Sequence, residues 1–136
     1  MRRTIITGIV LMSLASTGIA DHGSTIEHEA DVAKREPGTH NGGGETTGYS
    51  FFSKVQNPAL IFRKRALHPG SAIGPHTQRV DEVYYVLSGT GELTLDGKTE
   101  TVGPGTAILT RPGSTHSLKQ TGEEDLVIVI AYPPEH

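Results

Sequence analysis

From residue 48 onward, apolar side chains occur in short runs separated by turn residues, and no run has the spacing of an amphipathic helix. In residues 92–95 polar and apolar side chains alternate, and the dipeptide Asp96-Gly97 that follows is typical of a two-residue hairpin. This pattern predicts strands at residues 60–67, 80–87, 92–95, 98–102, 107–110, 114–119 and 126–132. Many short strands at this spacing predict an all-β sandwich or a small barrel.

The start of the chain has a different pattern. Met1-Arg2-Arg3 is positively charged, residues 5–20 are apolar or small, and Gly18-Ile19-Ala20 forms a small-x-small cleavage site. This layout predicts a secretory signal peptide over residues 1–20. The apolar stretch is shorter than the roughly 20 residues that a membrane-spanning helix needs. We therefore expect an exported protein, periplasmic or extracellular, with no membrane association after cleavage.

Residues 21–47 contain almost no large apolar side chains and include a glycine-rich run at 38–44. Such a segment buries too little surface to order itself, so it is predicted to be a disordered N-terminal arm with at most one short helix, at 26–34. Its histidines, His22, His28 and His40, are interpreted as part of a solvated tail that captures Cu or Ni only adventitiously. The folded domain is predicted to span residues 48–136.

Composition excludes several kinds of function. The 136 residues are enough for one domain. The formal charge is −3, and loss of Arg2 and Arg3 with the signal peptide changes it to −5. An acidic domain without a basic run is a poor candidate for binding nucleic acid. The chain has no cysteine, so it has no disulfide, thiolate metal site or cysteine nucleophile.

The chemistry of the chain is concentrated between Gly70 and Gly89. His76 and Gln78 are two residues apart and face the same side if they lie on one strand. Glu82 shares their parity if the strand continues; if the chain turns at residues 79–81, Glu82 comes from an adjacent strand instead. His116 must arrive from a separate strand.

His76, Glu82 and His116 form a 2-His-1-carboxylate set, which leaves open positions on Fe(II) or Mn(II). Gln78 is either a fourth ligand through its amide oxygen or a neighbour that orients a ligand. A neutral oxygen donor favours Mn or Fe over Cu, although Ni and Zn also tolerate such ligands. One carboxylate against a dication leaves a charge of +1, which suits an anionic or enolate-like small-molecule substrate.

Other side chains near these positions have both a functional and a structural interpretation. Tyr84 shares parity with Glu82, and these two are the candidate catalytic residues, although a tyrosine at such a position is more often a core residue than a proton donor. Arg63 and Arg65 lie on one face of a predicted strand and either bind a carboxylate or phosphate or face solvent. Arg111 either guards the mouth of the barrel or is exposed. His68, before Pro69-Gly70, is interpreted as a turn residue.

The segment from Gly70 to Gly89 resembles the first cupin motif, G-x5-H-x-H-x3-E-x6-G, with every spacing kept and Gln78 in place of the second histidine. The later part is similar to the second motif, G-x5-P-x-G-x2-H-x3-N, with Pro112 shifted by one position and Gln120 in place of Asn. The residues that match the second motif are Gly105, Pro112, Gly113 and His116. The resemblance covers residues 60–134.

This resemblance implies a single jelly-roll-like β-barrel, a metal held by His76, Gln78, Glu82 and His116, and a homodimer. It leaves the reaction open, because cupins include enzymes of many kinds and binding proteins. The preferred hypothesis is a metal-dependent enzyme of dioxygenase or other oxidoreductase type. A metal-dependent lyase or isomerase, or a non-catalytic module that binds a sugar or another small molecule, is the alternative. A cavity with open metal positions favours an enzyme, and a cavity filled by large side chains favours the module.

Overall fold

The structure is a computed structural model that describes residues 22–135. The signal peptide predicted for residues 1–20 lies outside the described residues. Within residues 22–135, no helix is long and apolar enough to cross a membrane. The elements are α1 (Glu29–Val32), β1 (Ala33–Pro37), β2 (Glu45–Phe51), β3 (Ile61–Leu67), β4 (Ala72–Thr77), β5 (Glu82–Ser88), β6 (Thr90–Leu95), β7 (Lys98–Val102), β8 (Ala107–Thr110), β9 (Thr115–Thr121) and β10 (Leu126–Tyr132).

The strands form two antiparallel sheets, which confirms the predicted all-β, jelly-roll-like fold. The larger sheet has the order β1-β2-β3-β10-β5-β8, and the smaller has the order β4-β9-β6-β7. Because the chain crosses repeatedly from one sheet to the other, residues close in sequence reach opposite walls of the interior. The turn between β4 and β5 is such a crossing, and it carries the site.

The core lies between the two sheets, and alternation along the strands selects its members. On β5 the even-numbered residues from Glu82 to Val86 are buried and the odd-numbered ones are exposed, and β10 shows a similar alternation. One face of each strand therefore packs against the opposite sheet while the other faces outward. The apolar core consists of Leu67, Ile73, Tyr84, Val86, Leu93, Val102, Ile108, Leu118, Leu126, Ile128 and Ile130.

The hairpin prediction at Asp96-Gly97 is confirmed. Leu95 pairs with Lys98 across the turn, and Asp96 and Gly97 both have positive φ, 48° and 79°. Two successive residues at positive φ are the mark of a type I′ turn, whose twist matches the flanking strands. The predicted bounds of β7, β8 and β10 also agree with the structure.

The structure differs from the prediction in the segment described as a disordered arm, residues 21–47. It holds α1, within the predicted helix at 26–34, and β1, which pairs with β2 from Ala33↔Tyr49 to Pro37↔Glu45. The ordered sheet therefore begins well before residue 48. The loop between these strands is joined to β4, because the Gly74 amide donates to the Thr39 carbonyl at 2.9 Å and the Ala72 amide to the Gly43 carbonyl at 3.2 Å.

These contacts explain why the composition of residues 21–47 indicated disorder although the segment is ordered. The segment is held by backbone hydrogen bonds to sheet edges, which need no apolar side chain. Glycine permits the close approach: a Cβ on Gly74 would clash with the carbonyl oxygen of His40, and one on Gly42 with that of Ala72. The glycine-rich composition that indicated disorder is also what lets the loop pack against β4.

Candidate metal centre

The two histidines come from the smaller sheet and the carboxylate from the larger one. His76 on β4 is directly opposite His116 on β9 in the strand register. The chain then bends after β4, and Glu82 begins β5 in the other sheet. Of the two arrangements open for Glu82, the structure has the one in which the chain turns at residues 79–81. Opposed residues of an antiparallel pair have Cβ atoms about 4.5–5.5 Å apart, close enough for both imidazoles to face one ion.

The donor atoms of these three residues converge. The Nε2 atoms of His76 and His116 are 2.9 Å apart, and His116 Nε2 is 3.3 Å from Glu82 Oε1. One ligand atom from each residue lies within 4.8 Å of the others. His116 and Glu82 are buried, and His76 is half-buried at the cavity wall.

The outer nitrogen of each imidazole has a partner of its own. His76 Nδ1 donates to the carbonyl oxygen of Gly74 at 2.8 Å, so its Nε2 carries a lone pair. His116 Nδ1 lies 2.8 Å from Oγ1 of Thr110, and when that buried hydroxyl accepts, Nε2 of His116 carries a lone pair as well. Such partners fix the tautomer and ring orientation of metal-binding histidines.

Two lone pairs that face each other at 2.9 Å repel unless a proton or a cation lies between them. Ligand bonds of about 2.0–2.1 Å at right angles place two nitrogens about 3.0 Å apart. The observed 2.9 Å and 3.3 Å separations match the edges of such a coordination shell. His76, Glu82 and His116 therefore fit a divalent metal in both donor chemistry and spacing.

Gln78 belongs to the same group. Its Nε2 lies 2.7 Å from Glu82 Oε1 and 3.1 Å from the Nε2 atoms of both histidines. An amide NH2 has two hydrogens and therefore does not satisfy three neighbours at once. A half-turn of the amide exchanges nitrogen for oxygen and would present an oxygen donor to a cation at the same place. Gln78 is thus within reach of the site either as a ligand or as a hydrogen-bond partner of Glu82.

Burial shifts the pKa of His76. Desolvation lowers the pKa of this imidazole below its usual value, and its hydrogen bond to Gly74 acts in the opposite direction without reversing the shift. A lowered pKa favours the neutral imidazole, which is the form that binds a metal.

Tyr84 supports the site from the core. Burial raises its pKa well above the usual value, and the charge of Glu82 and a hydrogen bond to it act in the same direction. The tyrosine therefore stays protonated and donates to Glu82. Its ring also stacks on His116, with centroids 5.0 Å apart. Tyr84 holds both a carboxylate and an imidazole of the group in place.

His40 is the site residue that the sequence analysis missed. Its ring is parallel to that of His76, with centroids 3.6 Å apart and planes 6° apart, and it lines the same cavity. Burial lowers its pKa as well. No residue pattern in the sequence marks His40, because its position depends on the attachment of the 38–44 loop to β4. His22 and His28 are exposed and are not in the metal group, whereas His68 lies just after β3, where a turn residue was predicted.

The cavity beside the metal group has a volume of about 470 Å³. Arg63 and Arg65 of β3 both line it, so the expectation that they share a face is confirmed. Arg65 is buried and paired, 2.9 Å from Glu36 and 2.7 Å from Thr46. Arg111 instead pairs with Asp81 at 2.8 Å outside the cavity lining.

A small jelly roll in which imidazole, carboxylate and amide groups converge beside a cavity is typical of β proteins that bind a metal or a small ligand between their sheets. The sequence family agrees with this class. Residues 64–132, half of the chain, match the cupin domain, and the chain belongs to the cupin family. The resemblance drawn from the motif spacing is thereby confirmed.

Two characterised relatives illustrate the range of the family. The chain is 31% identical over 107 residues to an oxalate-binding protein from Thermotoga maritima, which covers 76% of this chain and 88% of the relative. It is 26% identical over 89 residues to a 5-nitrosalicylic acid 1,2-dioxygenase from a Bradyrhizobium species, covering 65% of this chain and 41% of the dioxygenase.

Solved structures agree on the fold. A predicted oxalate decarboxylase from Thermotoga maritima superposes with a TM-score of 0.74 at 25% identity, over 82% of this chain and all of the other. The polyketide cyclase RemF from Streptomyces resistomycificus superposes with a TM-score of 0.67 at 27% identity, over 82% of this chain and 80% of the other. The names span binding, decarboxylation, oxygenation and cyclisation, so the fold alone does not assign the reaction.

Proposed function

We propose that this cupin binds Mn(II) or Fe(II) through His76, Glu82 and His116 and acts as a metal-dependent oxidoreductase of dioxygenase type on a small organic anion. The observation that carries the proposal is the convergence of the three donor atoms within 4.8 Å while both outer imidazole nitrogens have partners. Two nitrogens and one carboxylate form a ligand set that leaves coordination positions open.

The protein's own groups define what the site does. A divalent metal bound there would supply a Lewis-acidic centre with positions left for substrate or oxygen. His76 and His116 contribute neutral nitrogens, and Glu82 contributes one negative charge. Tyr84 holds the Glu82 carboxylate by a hydrogen bond. Gln78 reaches the same point and either completes the shell or orients a bound group.

Charge supports an anionic substrate. One carboxylate against a dication leaves a net positive site, and Arg63 adds a guanidinium to the wall of the same cavity. The oxalate-binding relative is consistent with an anionic ligand, and the dioxygenase relative is consistent with oxidation of an organic acid.

A non-catalytic anion-binding role is the second candidate. The observation in its favour is that the chain aligns with 88% of the length of an oxalate-binding protein. A metal-dependent lyase is a third candidate, favoured by the structural likeness to a predicted oxalate decarboxylase. In all three, the same metal group would hold the anion.

The test is the metal content of protein purified without an affinity tag or added metal, measured by elemental mass spectrometry. We expect near-stoichiometric Mn or Fe, lost in His116→Ala and retained in His68→Ala, a matched control outside the metal group. Stoichiometric Zn or Ni would favour the lyase or an isomerase. Absence of metal from the wild type would contradict the proposal. Oxygen uptake with candidate acids then separates the oxidoreductase from the binding protein.

We also propose that the protein is exported and that residues 1–20 are removed. The support is the sequence layout alone: a basic start, an apolar stretch and a small-x-small site. Expression of the full chain in a bacterium followed by mass measurement of the exported protein tests this. A mass that corresponds to the uncleaved chain would contradict it.

A homodimer is proposed from the family and from an exposed apolar face on β5 and β8. Val83, Tyr85, Leu87 and Leu109 are 40–51% exposed on the outer side of the larger sheet. Exposed apolar surfaces of this kind often mark contacts between proteins. Light scattering on the mature protein is the test, and a monomeric mass at micromolar concentration would contradict the proposal.

A further inference from the structure

We propose that the ligand of this cavity is an organic anion longer than oxalate, with one end at the metal group and an anionic group at Arg63. The inference rests on the proposed function and adds a second contact to it. Four features of the cavity carry it: its size, the position of Arg63, the state of that guanidinium, and the apolar wall between the two ends.

The cavity is large for oxalate. Its volume is about 470 Å³, within the range of about 300–1,000 Å³ that is typical of sites for drug-sized ligands. Oxalate has two carbons and four oxygens and would fill only a small part of this space. The space beyond the metal group is therefore available to the rest of a longer molecule.

The strand register places Arg63 in the same sheet as Glu82 and Tyr84, two strands away from them. Arg63 on β3 is paired with Ile130 on β10, and Ile130 is paired with Tyr84 on β5. Adjacent strands are about 4.8 Å apart, so the backbones of Arg63 and Tyr84 are separated by about 10 Å. Glu82 lies two residues before Tyr84 on the same strand and the same face. A ligand that contacts both Arg63 and the metal group therefore lies along the wall formed by the larger sheet.

Arg63 is available, whereas Arg65 is not. Arg65 is 6% exposed and is neutralised by Glu36. Within residues 22–135, Arg63 forms no ion pair, and its guanidinium carbon lies 5.6 Å from the ring centroid of Tyr132. A guanidinium on an aromatic face keeps its edge donors free for a carboxylate. Burial raises the pKa of Tyr132, so its hydroxyl remains a proton donor beside Arg63.

The wall between the two polar ends is apolar. Ile130 lies between Arg63 and Tyr84 in the strand register, and it lines the cavity together with Ile73 and Tyr84. A ligand with a hydrocarbon segment between its two polar ends matches this order of surfaces. The chemical class is thus a carboxylate with a second oxygen-bearing end, separated by an apolar spacer.

The test is calorimetric titration of Mn-loaded protein with oxalate, succinate and adipate, a series in which only the spacer grows. We expect the affinity of the wild type to rise from oxalate to adipate. In Arg63→Gln, adipate binding should weaken on the order of 10- to 100-fold, because a charged hydrogen bond is lost. Oxalate binding should change by less than about twofold, because oxalate does not reach Arg63.

Arg111→Gln is the matched control, because Arg111 carries the same charge but lies outside the cavity lining, 2.8 Å from Asp81. It should leave the whole series unchanged. Tightest wild-type binding for oxalate, or an equal loss for oxalate and adipate in Arg63→Gln, would overturn the inference while leaving the proposed function intact. Metal content is measured before each titration, and a wild type that takes up no Mn would contradict both.

Discussion

Two regions of this protein bring histidine, carboxylate and hydroxyl groups within hydrogen-bond distance, and only one has the form of a metal site. After β3, His68 Nδ1 lies 3.0 Å from Asp125 Oδ1, and its Nε2 lies 2.9 Å from Thr47 Oγ1. Both ring nitrogens are therefore occupied by protein groups. The contacts tie together β2, the end of β3 and the chain before β10.

The metal group uses similar residues in the opposite way. The outer nitrogens of His76 and His116 are occupied by Gly74 and Thr110, whereas the Gln78 amide near their inner nitrogens has only two hydrogens for three neighbours. Their inner nitrogens converge at 2.9 Å with Glu82 nearby. The comparison teaches that residue types do not define a metal site. A site needs several lone pairs that converge and that the protein itself does not satisfy.

The largest difference between the two regions is expected when the carboxylate of each is replaced by its amide. Glu82→Gln removes the negative charge that balances a dication, and Mn affinity should fall by more than about 100-fold, beyond the loss typical of an outer-shell change. Asp125→Asn should leave Mn affinity unchanged. Isothermal titration of metal-free protein with Mn(II) measures both. Equal affinities in the two variants would remove the distinction between the regions.

A smaller difference in Mn affinity is expected when the hydroxyl beside the histidine of each region is removed. Thr110→Val preserves shape but removes the group that orients His116, and Mn affinity should fall about 10- to 100-fold. Thr47→Val removes the corresponding partner of His68 and should leave Mn affinity unaltered. The same titration is the measurement. An unchanged affinity in Thr110→Val would show that His116 needs no partner to hold its orientation.

The smallest effect concerns stability in the absence of metal. His68→Ala removes two hydrogen bonds that connect three segments, and should lower the free energy of unfolding by about 1–2 kcal/mol. His76→Ala relieves the 2.9 Å approach of two nitrogens and should cost less than His68→Ala. Urea denaturation of metal-free protein compares the two. A larger loss for His76→Ala would show that the metal group also stabilises the fold.

Much of the fold could be predicted from the sequence, because alternation and turn chemistry act locally. The bounds of β7, β8 and β10 follow from apolar spacing and flanking glycines, and Asp96-Gly97 specifies its hairpin. The segment before residue 48 was predicted to be disordered, but the structure shows it ordered. It is held by backbone hydrogen bonds to neighbouring strands, and such bonds cannot be inferred from side-chain composition.

Part of the candidate site could likewise be predicted from the sequence, and part could not. The spacing of His76, Gln78 and Glu82, with His116 later in the chain, was sufficient to name the group, because it matches a known motif. The contribution of His40 was not predictable, because it depends on where the 38–44 loop attaches to β4. The sequence also does not show which of Arg63 and Arg65 is available to a ligand. Arg65 is neutralised by Glu36 on β1, and only the tertiary structure brings these two residues together.

The sequence by itself therefore determined the all-β class, most strand positions, the family and the identities of the candidate metal ligands, because these depend on local periodicity and on residue spacing. The tertiary structure alone decided which lone pairs converge, which arginine stays available and which loop packs against β4 beside the site. Those properties arise between segments far apart in the chain, and they depend on distances of 3 to 4 Å that only the packed sheets create.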